Sequence, residues 1–219
     1  RGARRFGLHT MLVSNELNAD YMVQTVAMLL EIAAQVSKAL DIRIEFINIG
    51  GGLGIPYNPG QKPLDIFAMA AETADLFTAF KARNGYEPKF YIESGRYMTG
   101  SHGVLVTTAI NQKDIYRKYI GVDACMSALM RPAIYGAYHH ISVVGKHPKD
   151  NFEKVDVVGS LCENNDKFAI QRLLPEIKNG DRLLIHDTGA HGHSMGFNYN
   201  GRLRPKELLL RSNGSVELI

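Results

Sequence analysis

Glu93 and Arg96 stand three residues apart, with Ser94 and Gly95 between them, where the apolar run Lys89 to Ile92 ends. A carboxylate and a guanidinium at the end of a strand can hold two ends of one anionic, nitrogen-containing ligand. Upstream, Gly50-Gly51-Gly52-Leu53-Gly54 closes another apolar run. Consecutive glycines let backbone amides approach a ligand closely, and such a nest favours phosphate. The run is not a Walker loop, because no Gly-Lys-Ser/Thr follows it. It is not the dinucleotide fingerprint either, because Ile55 stands where glycine is needed. A tight packing turn is the other reading.

Cys162 and Glu163 open the turn-like stretch Cys162-Glu163-Asn164-Asn165-Asp166. A thiol beside a carboxylate can serve as an acid and base pair or as a substrate contact; the alternative is a semi-buried cysteine beside a solvated acidic turn. Arg131 to His140 places a guanidinium, two phenols and two imidazoles in one segment, which reads equally as a site or as an aromatic packing patch. His186, His191 and His193 lack a recognised ligand spacing, so no metal is expected.

The elements that must position these residues alternate. Phe6 to Ser14 reads as a buried strand. A helix capped by Asn18 or Asp20 follows, with Met22, Val26, Leu29, Ala33, Val36 and Leu40 at three- and four-residue spacing. Ile42 to Ile49 reads as a second strand. A second helix starts near Pro63, carries Phe67, Ala70, Ala74, Phe77 and Phe80, and stops at Asn84-Gly85; Lys89 to Ile92 is the third strand. This grammar is that of a parallel sheet with helical crossovers, doubly wound or part of a (β/α) barrel. After Arg96 come short strand candidates at Gly103 to Ile110, Tyr119 to Val122, His140 to Val144, Val155 to Val158, Arg182 to Ile185 and Glu207 to Leu210, with Lys167 to Leu174 as one short helix. A boundary near residues 97–102 therefore separates an α/β part, residues 1–98, from an all-β part, residues 99–219.

The 25 basic and 22 acidic residues among 219 are scattered, which argues against a nucleic-acid or membrane-surface binder. Cys125 and Cys162 are too few for a disulfide framework and fit a reducing, cytoplasmic setting. No apolar run is expected to reach the roughly 18 residues a bilayer span needs. The chain starts Arg1-Gly2-Ala3-Arg4-Arg5 without Met, and an upstream segment is expected.

Taken together, Ile47 to Tyr57, Glu93 to Arg96, Arg131 to His139, Cys162-Glu163 and Ser194 to Asn200 appear in an order that resembles the diaminopimelate decarboxylases, members of the alanine-racemase-like fold-type III class of pyridoxal-phosphate enzymes. The resemblance covers nearly the whole chain. It implies the C-terminal part of a cofactor-binding (β/α)8 TIM barrel followed by a β-barrel or sandwich domain, and a homodimer with shared active sites. Pyridoxal 5'-phosphate is the implied cofactor. Gly50, Gly51 and Gly52, with Ser94, Gly95, Arg96 and, more weakly, Ser14, match the phosphate-holding positions; Tyr199 is also a cofactor contact. Glu93 matches the carboxylate that keeps the pyridine nitrogen protonated, where racemases of the fold place an arginine. Arg96, Arg131, Tyr135, Glu163 and Tyr199 match substrate contacts. Cys162 matches the residue that protonates the substrate carbon, contributed across the dimer interface.

The implied reaction is decarboxylation of meso-2,6-diaminopimelate at its D centre to L-lysine. A related D-lysine or D-ornithine decarboxylase and a non-catalytic homologue are the alternatives. Two departures stand out. The family's Schiff-base lysine lies in a segment this chain does not contain, so the chain by itself is expected to be inactive. Met11, in Thr10-Met11-Leu12-Val13-Ser14, also stands where a ring-stacking histidine is usual, and His9 points the same way two residues earlier.

Overall fold

Three short apolar runs become parallel strands in the computed structural model, which describes residues 2–147 and 151–219. They are β1 (Phe6–His9), β2 (Ile44–Asn48) and β3 (Lys89–Tyr91), paired in that order. Parallel neighbours need a crossover, and helices α1 (Ala19–Leu40) and α2 (Ile66–Asn84) supply it. Asn18 caps α1 by accepting from the Asp20 amide, and Asp65 caps α2 by accepting from the Ala68 amide. Gly85, at φ +70°, ends α2 in the left-handed region.

Met22, Val26, Leu29, Leu30 and Ala33 bury one stripe of α1 in the same apolar cluster as Ile44, Ile47 and Ile49. Each of the larger of these side chains, fully buried, contributes about 1.5–3 kcal/mol. On α2 the buried stripe is Met69, Thr73, Phe77 and Phe80, whereas Phe67 is 84% exposed. The helix starts at Ile66 and not at Pro63, and Phe67 lies about 200° around the axis from Met69, off the buried stripe. The expectation that nothing could span a bilayer needs correcting: α1 is long and apolar enough by length and composition alone. Its stripe in the core of this unit is the packing of a globular core helix.

The described residues divide into two units. One runs through Pro56 and resumes at Gly60–Met98; the other comprises Tyr57–Pro59 and Thr99–Ile219. In the first unit a one-turn helix, α3 (Gly95–Thr99), begins directly after Glu93-Ser94. The second unit is built on β4 (Leu105–Asp114), β5 (Lys118–Val122), β6 (Ile141–Val143), β7 (Phe152–Val158), β8 (Lys167–Pro175) and β9 (Arg182–Ile185). Their order is β6-β9-β4-β5-β7-β8, antiparallel except for β5 with β7, and β8 curls back to touch β6. Ile120, Val122, Val155, Val157, Leu183 and Ile185, each essentially inaccessible, form its core. A one-turn helix, α4 (Arg131–Tyr135), and a separate hairpin of β10 (Leu208–Leu210) and β11 (Val216–Leu218) complete it.

Lys167–Pro175 is a strand, where the sequence suggested a helix. Gln171 has φ +47° and sits in a bulge, with Val155 opposite Arg172 and Val157 opposite Ala169. The extra residue breaks the two-residue alternation that would mark a strand, and the neighbours Phe168 and Ala169 are both buried, as is Leu174. Asp156 pins the bulge by accepting from the Gln171 backbone amide at 2.7 Å.

Candidate functional site

Because β1, β2 and β3 are parallel, their carboxyl ends open on one side of the sheet, where crossover folds bind ligands. His9 ends β1, Asn48 ends β2, and Glu93 follows β3 by two residues. The Glu93 amide donates to the Gly50 carbonyl at 2.7 Å, so the strand ends stay paired beyond the sheet. Asn48 links the pieces with its side chain. Its Oδ1 accepts from the Gly50 amide at 2.8 Å, and its Nδ2 donates to Glu93 Oε1, also at 2.8 Å. His9 Nε2 lies 3.7 Å from the same oxygen. Both partners of that second contact are half exposed, and exposed ion pairs are worth about 1 kcal/mol or less, so the amide is the firmer hold.

The glycine loop has no room for side chains. Gly50 and Gly52 have φ +70° and +97°, and a Cβ on either would come within 2.6 Å of Thr10 O and 2.5 Å of Val13 O respectively. A Cβ on Gly51 would meet Glu93 O at 2.8 Å. Met11 runs alongside, 3.6 Å from that same Gly51 position at its Cε, and is exposed. Ser94 places its hydroxyl in a buried position with no hydrogen bond among the described residues, while the Gly95 amide is used on the Glu93 carbonyl at 3.0 Å. Arg96 lies in the first turn of α3, and Ser14 is exposed at the end of the segment after β1.

In the second unit, Cys162 and Glu163 occupy the β7–β8 turn. Cys162 is exposed, and its backbone amide donates to Asn200 Oδ1 at 3.1 Å, which brings the loop carrying Tyr199 alongside it. Glu163 Oε1 accepts from the Asn165 amide. The acidic turn is not solvated throughout: Asp166 is only 3% exposed, and its two carboxylate oxygens accept from the Met126 amide at 2.6 Å and the Leu161 amide at 2.7 Å. Burial pushes its carboxyl up from the ordinary value, outweighing the two amides that favour the charged form.

Asp166→Ala is expected to lower stability by about 2–4 kcal/mol, since two charge-assisted bonds vanish and two buried amides lose their acceptor. Because the folded-state value is raised, the Asp166 contribution to stability is fullest below the ordinary carboxylate value and is lost as pH rises through the raised one. Thermal unfolding across that acid range should show the slope in the wild type and not in the variant; equal slopes would remove Asp166 as its source.

Arg131 and Tyr135 lie one turn apart on α4. Arg131 is 7% exposed, whereas Tyr135 is 64% exposed. Arg131 Nη1 is 2.7 Å from His139 Nε2, and the guanidinium lies over the Tyr57 ring, 4.3 Å from its centroid. Of the histidines considered for a metal, His186 Nε2 meets Ser142 Oγ at 2.7 Å and His193 meets Glu207. Among the described residues no group of three or more histidine, cysteine or carboxylate side chains could hold a metal ion.

Sequence reasoning missed Asn48, Asp166 and Tyr57. The signal for Asn48 was the Asn-x-Gly step at a strand end, which favours a side-chain to backbone turn; nothing local marked the others.

The family model described as "Pyridoxal-dependent decarboxylase, C-terminal sheet domain" matches residues 19–189. Protein TabA of Pseudomonas amygdali pv. tabaci is 52% identical over 219 residues, covering 99% of this chain and 51% of that protein. A diaminopimelate decarboxylase of Methanothermobacter thermautotrophicus is 42% identical, covering 100% and 51%. The crystal structure of diaminopimelate decarboxylase from M. jannaschii in co-complex with L-lysine superposes with a TM-score of 0.88 at 33% identity, over 97% of this chain and 48% of that one. The chain spans about half the length of the curated relatives it matches.

Proposed function

This chain belongs to the pyridoxal-dependent decarboxylases, and from that membership we propose that the protein it forms part of releases carbon dioxide from the D centre of meso-2,6-diaminopimelate, leaving L-lysine. The cofactor of the family is pyridoxal 5'-phosphate. The observation that carries the reading is the cradle of the first unit: a glycine loop closed to side chains, an orphaned Ser94 hydroxyl, and a Glu93 carboxylate held at one oxygen by Asn48. These fit the group at both ends. Backbone amides of the loop and Ser94 would take the phosphate, and Glu93 the ring nitrogen.

When bound, the cofactor supplies a sink for the electron pair left on the substrate carbon as the bond to the carboxylate breaks and carbon dioxide departs. The Glu93 carboxylate would keep the ring nitrogen protonated, which would deepen that sink. Cys162 Sγ gives its proton to the carbon, and water restores it to the thiolate. Arg96 and Arg131 suit the substrate carboxylates through paired hydrogen bonds, while Glu163 suits the distal ammonium; Tyr135 and Tyr199 complete the contacts. The exposure of Cys162 and Tyr135 suits a homodimer in which one protomer completes its partner's site.

The parallel sheet of the first unit is read as the last part of a (β/α)8 barrel. An apolar groove along α2 and β3, lined by Met69, Phe77, Phe90 and Ile92, is where the upstream half of the same polypeptide would pack. Residues 1–219 alone are then inactive, and the complete protein is cytoplasmic.

Met11 in place of a ring-stacking imidazole, together with a 52% identical relative of a different name, favours a second reading, a decarboxylase for D-lysine or D-ornithine. The complete protein, reduced with borohydride and peptide-mapped, is expected to carry a pyridoxyl adduct on a lysine outside residues 1–219. Assayed for carbon dioxide, it should act on meso-diaminopimelate at least about 100-fold faster than on D-lysine, because a site built for a carboxylate rejects a substrate lacking it by such factors. The reverse preference establishes the second reading, and absence of both adduct and turnover overturns the two.

A further inference from the structure

His139 is fully buried, and its two ring nitrogens have partners of fixed character. Nδ1 lies 2.8 Å from the His186 carbonyl oxygen, which only accepts, so Nδ1 carries the hydrogen. Nε2 lies 2.7 Å from Arg131 Nη1, which only donates, so Nε2 offers its lone pair. The imidazole is thus held neutral in one tautomer, with an acceptor aimed at the guanidinium. Tyr57 closes a second direction. Its ring lies under the guanidinium at 4.3 Å and meets the His139 ring edge-on at 5.0 Å. It is 6% exposed and, three residues after the glycine loop, belongs to the second unit. A guanidinium fixed on one face by a phenol and on one nitrogen by an imidazole has its remaining donors turned in a set direction.

We infer that His139 and Tyr57 are positioning residues that aim the Arg131 guanidinium at the carboxylate retained in the product. This rests on the proposed role of Arg131 as a carboxylate contact. The α4 turn contributes by fixing the other end of the side chain: Gly136, at φ +59°, returns its amide to the Arg131 carbonyl, so the backbone from which the guanidinium extends is closed into one turn.

L-Lysine and 1,5-diaminopentane differ only in the carboxylate, so their binding to the complete, cofactor-loaded protein isolates that contact. Calorimetry of the wild type is expected to give L-lysine at least about tenfold the affinity of the diamine, the scale of one charge-assisted bond. Tyr57→Leu and His139→Leu should weaken L-lysine by about tenfold and move the diamine by less than about twofold, whereas Tyr57→Phe, which keeps the aromatic face, should preserve the ratio. Variants that keep the wild-type ratio, or weaken both ligands alike, overturn the positioning role. Should His139→Leu fail to fold, Tyr57→Leu against Tyr57→Phe decides alone. A wild type that does not prefer L-lysine, or an Arg131→Met variant that still does, instead removes Arg131 from the carboxylate and takes the inference with it.

Discussion

Glu93→Gln in the complete protein is expected to lower turnover by about 10²–10³-fold while cofactor binding weakens far less, the scale seen when one preorganised electrostatic partner is removed from a reacting centre. The substitution keeps shape and one acceptor oxygen but removes the charge, so the ring nitrogen would lose the group proposed to hold its proton. Asn48 makes the expectation sharper. Its Nδ2 donates to Glu93 Oε1 at 2.8 Å, and that hold is orientational, not catalytic. Asn48→Leu, which removes that bond and the acceptor of the Gly50 amide, should therefore cost at least about tenfold and leave the charge in place. Titrating the absorbance of the bound cofactor separates the two: the glutamine variant should shift the pH at which the ring band changes, and the leucine variant should not. Turnover of Glu93→Gln within about threefold of wild type would end the assignment.

Cys162→Ala carries the second large effect, a fall of about 10²–10⁴-fold in product formation, the range for loss of a positioned general acid. The thiol is exposed in the β7–β8 turn, where Asn200 accepts from the Cys162 amide and Asp166 from the amide of Leu161 just before it. Because protonation follows loss of carbon dioxide, the diagnostic is where the hydrogen lands. In heavy water the wild type should place deuterium on one face of the product carbon. The alanine variant should place it on both, since water reaches either. Cys162→Ser, with a weaker acid in the same place, should fall between them. Full turnover and single-face labelling in Cys162→Ala would assign the proton to another group.

Signals that act within a few residues were readable from the sequence. Asn18 capping α1, Gly85 ending α2, and the glycine run after β2 each act through their own backbone or the next turn, so they survive removal from the fold. Features that depend on a distant partner were not readable. Lys167–Pro175 reads as a helix only until the bulge at Gln171 is paired with β7, and the bulge is held by Asp156, fifteen residues away. The one-turn helices α3 and α4 are too short to show a period. Asn48 acquires a task only when β2 lies beside β3, and Asp166 looks like a surface acid until the Met126 and Leu161 amides close on it. Hence caps, helix ends and the glycine turn could be read from the sequence, while the residues that pin the strand ends, the bulge and the β7–β8 turn could not.

The Asn48 side chain also bears on how this site can evolve. Its amide is rigid, with one end on the Gly50 amide and the other on Glu93, so a shift of the glycine loop is transmitted to the Glu93 carboxylate. A side chain at Gly51 would press on the Glu93 carbonyl oxygen as well. Substitutions at Gly51, Asn48 and Glu93 should therefore be epistatic, with combined effects that depart from the sum of the single ones. Natural drift would have to change the three together, and selection for a new ligand at either end of the cradle would be constrained by the other.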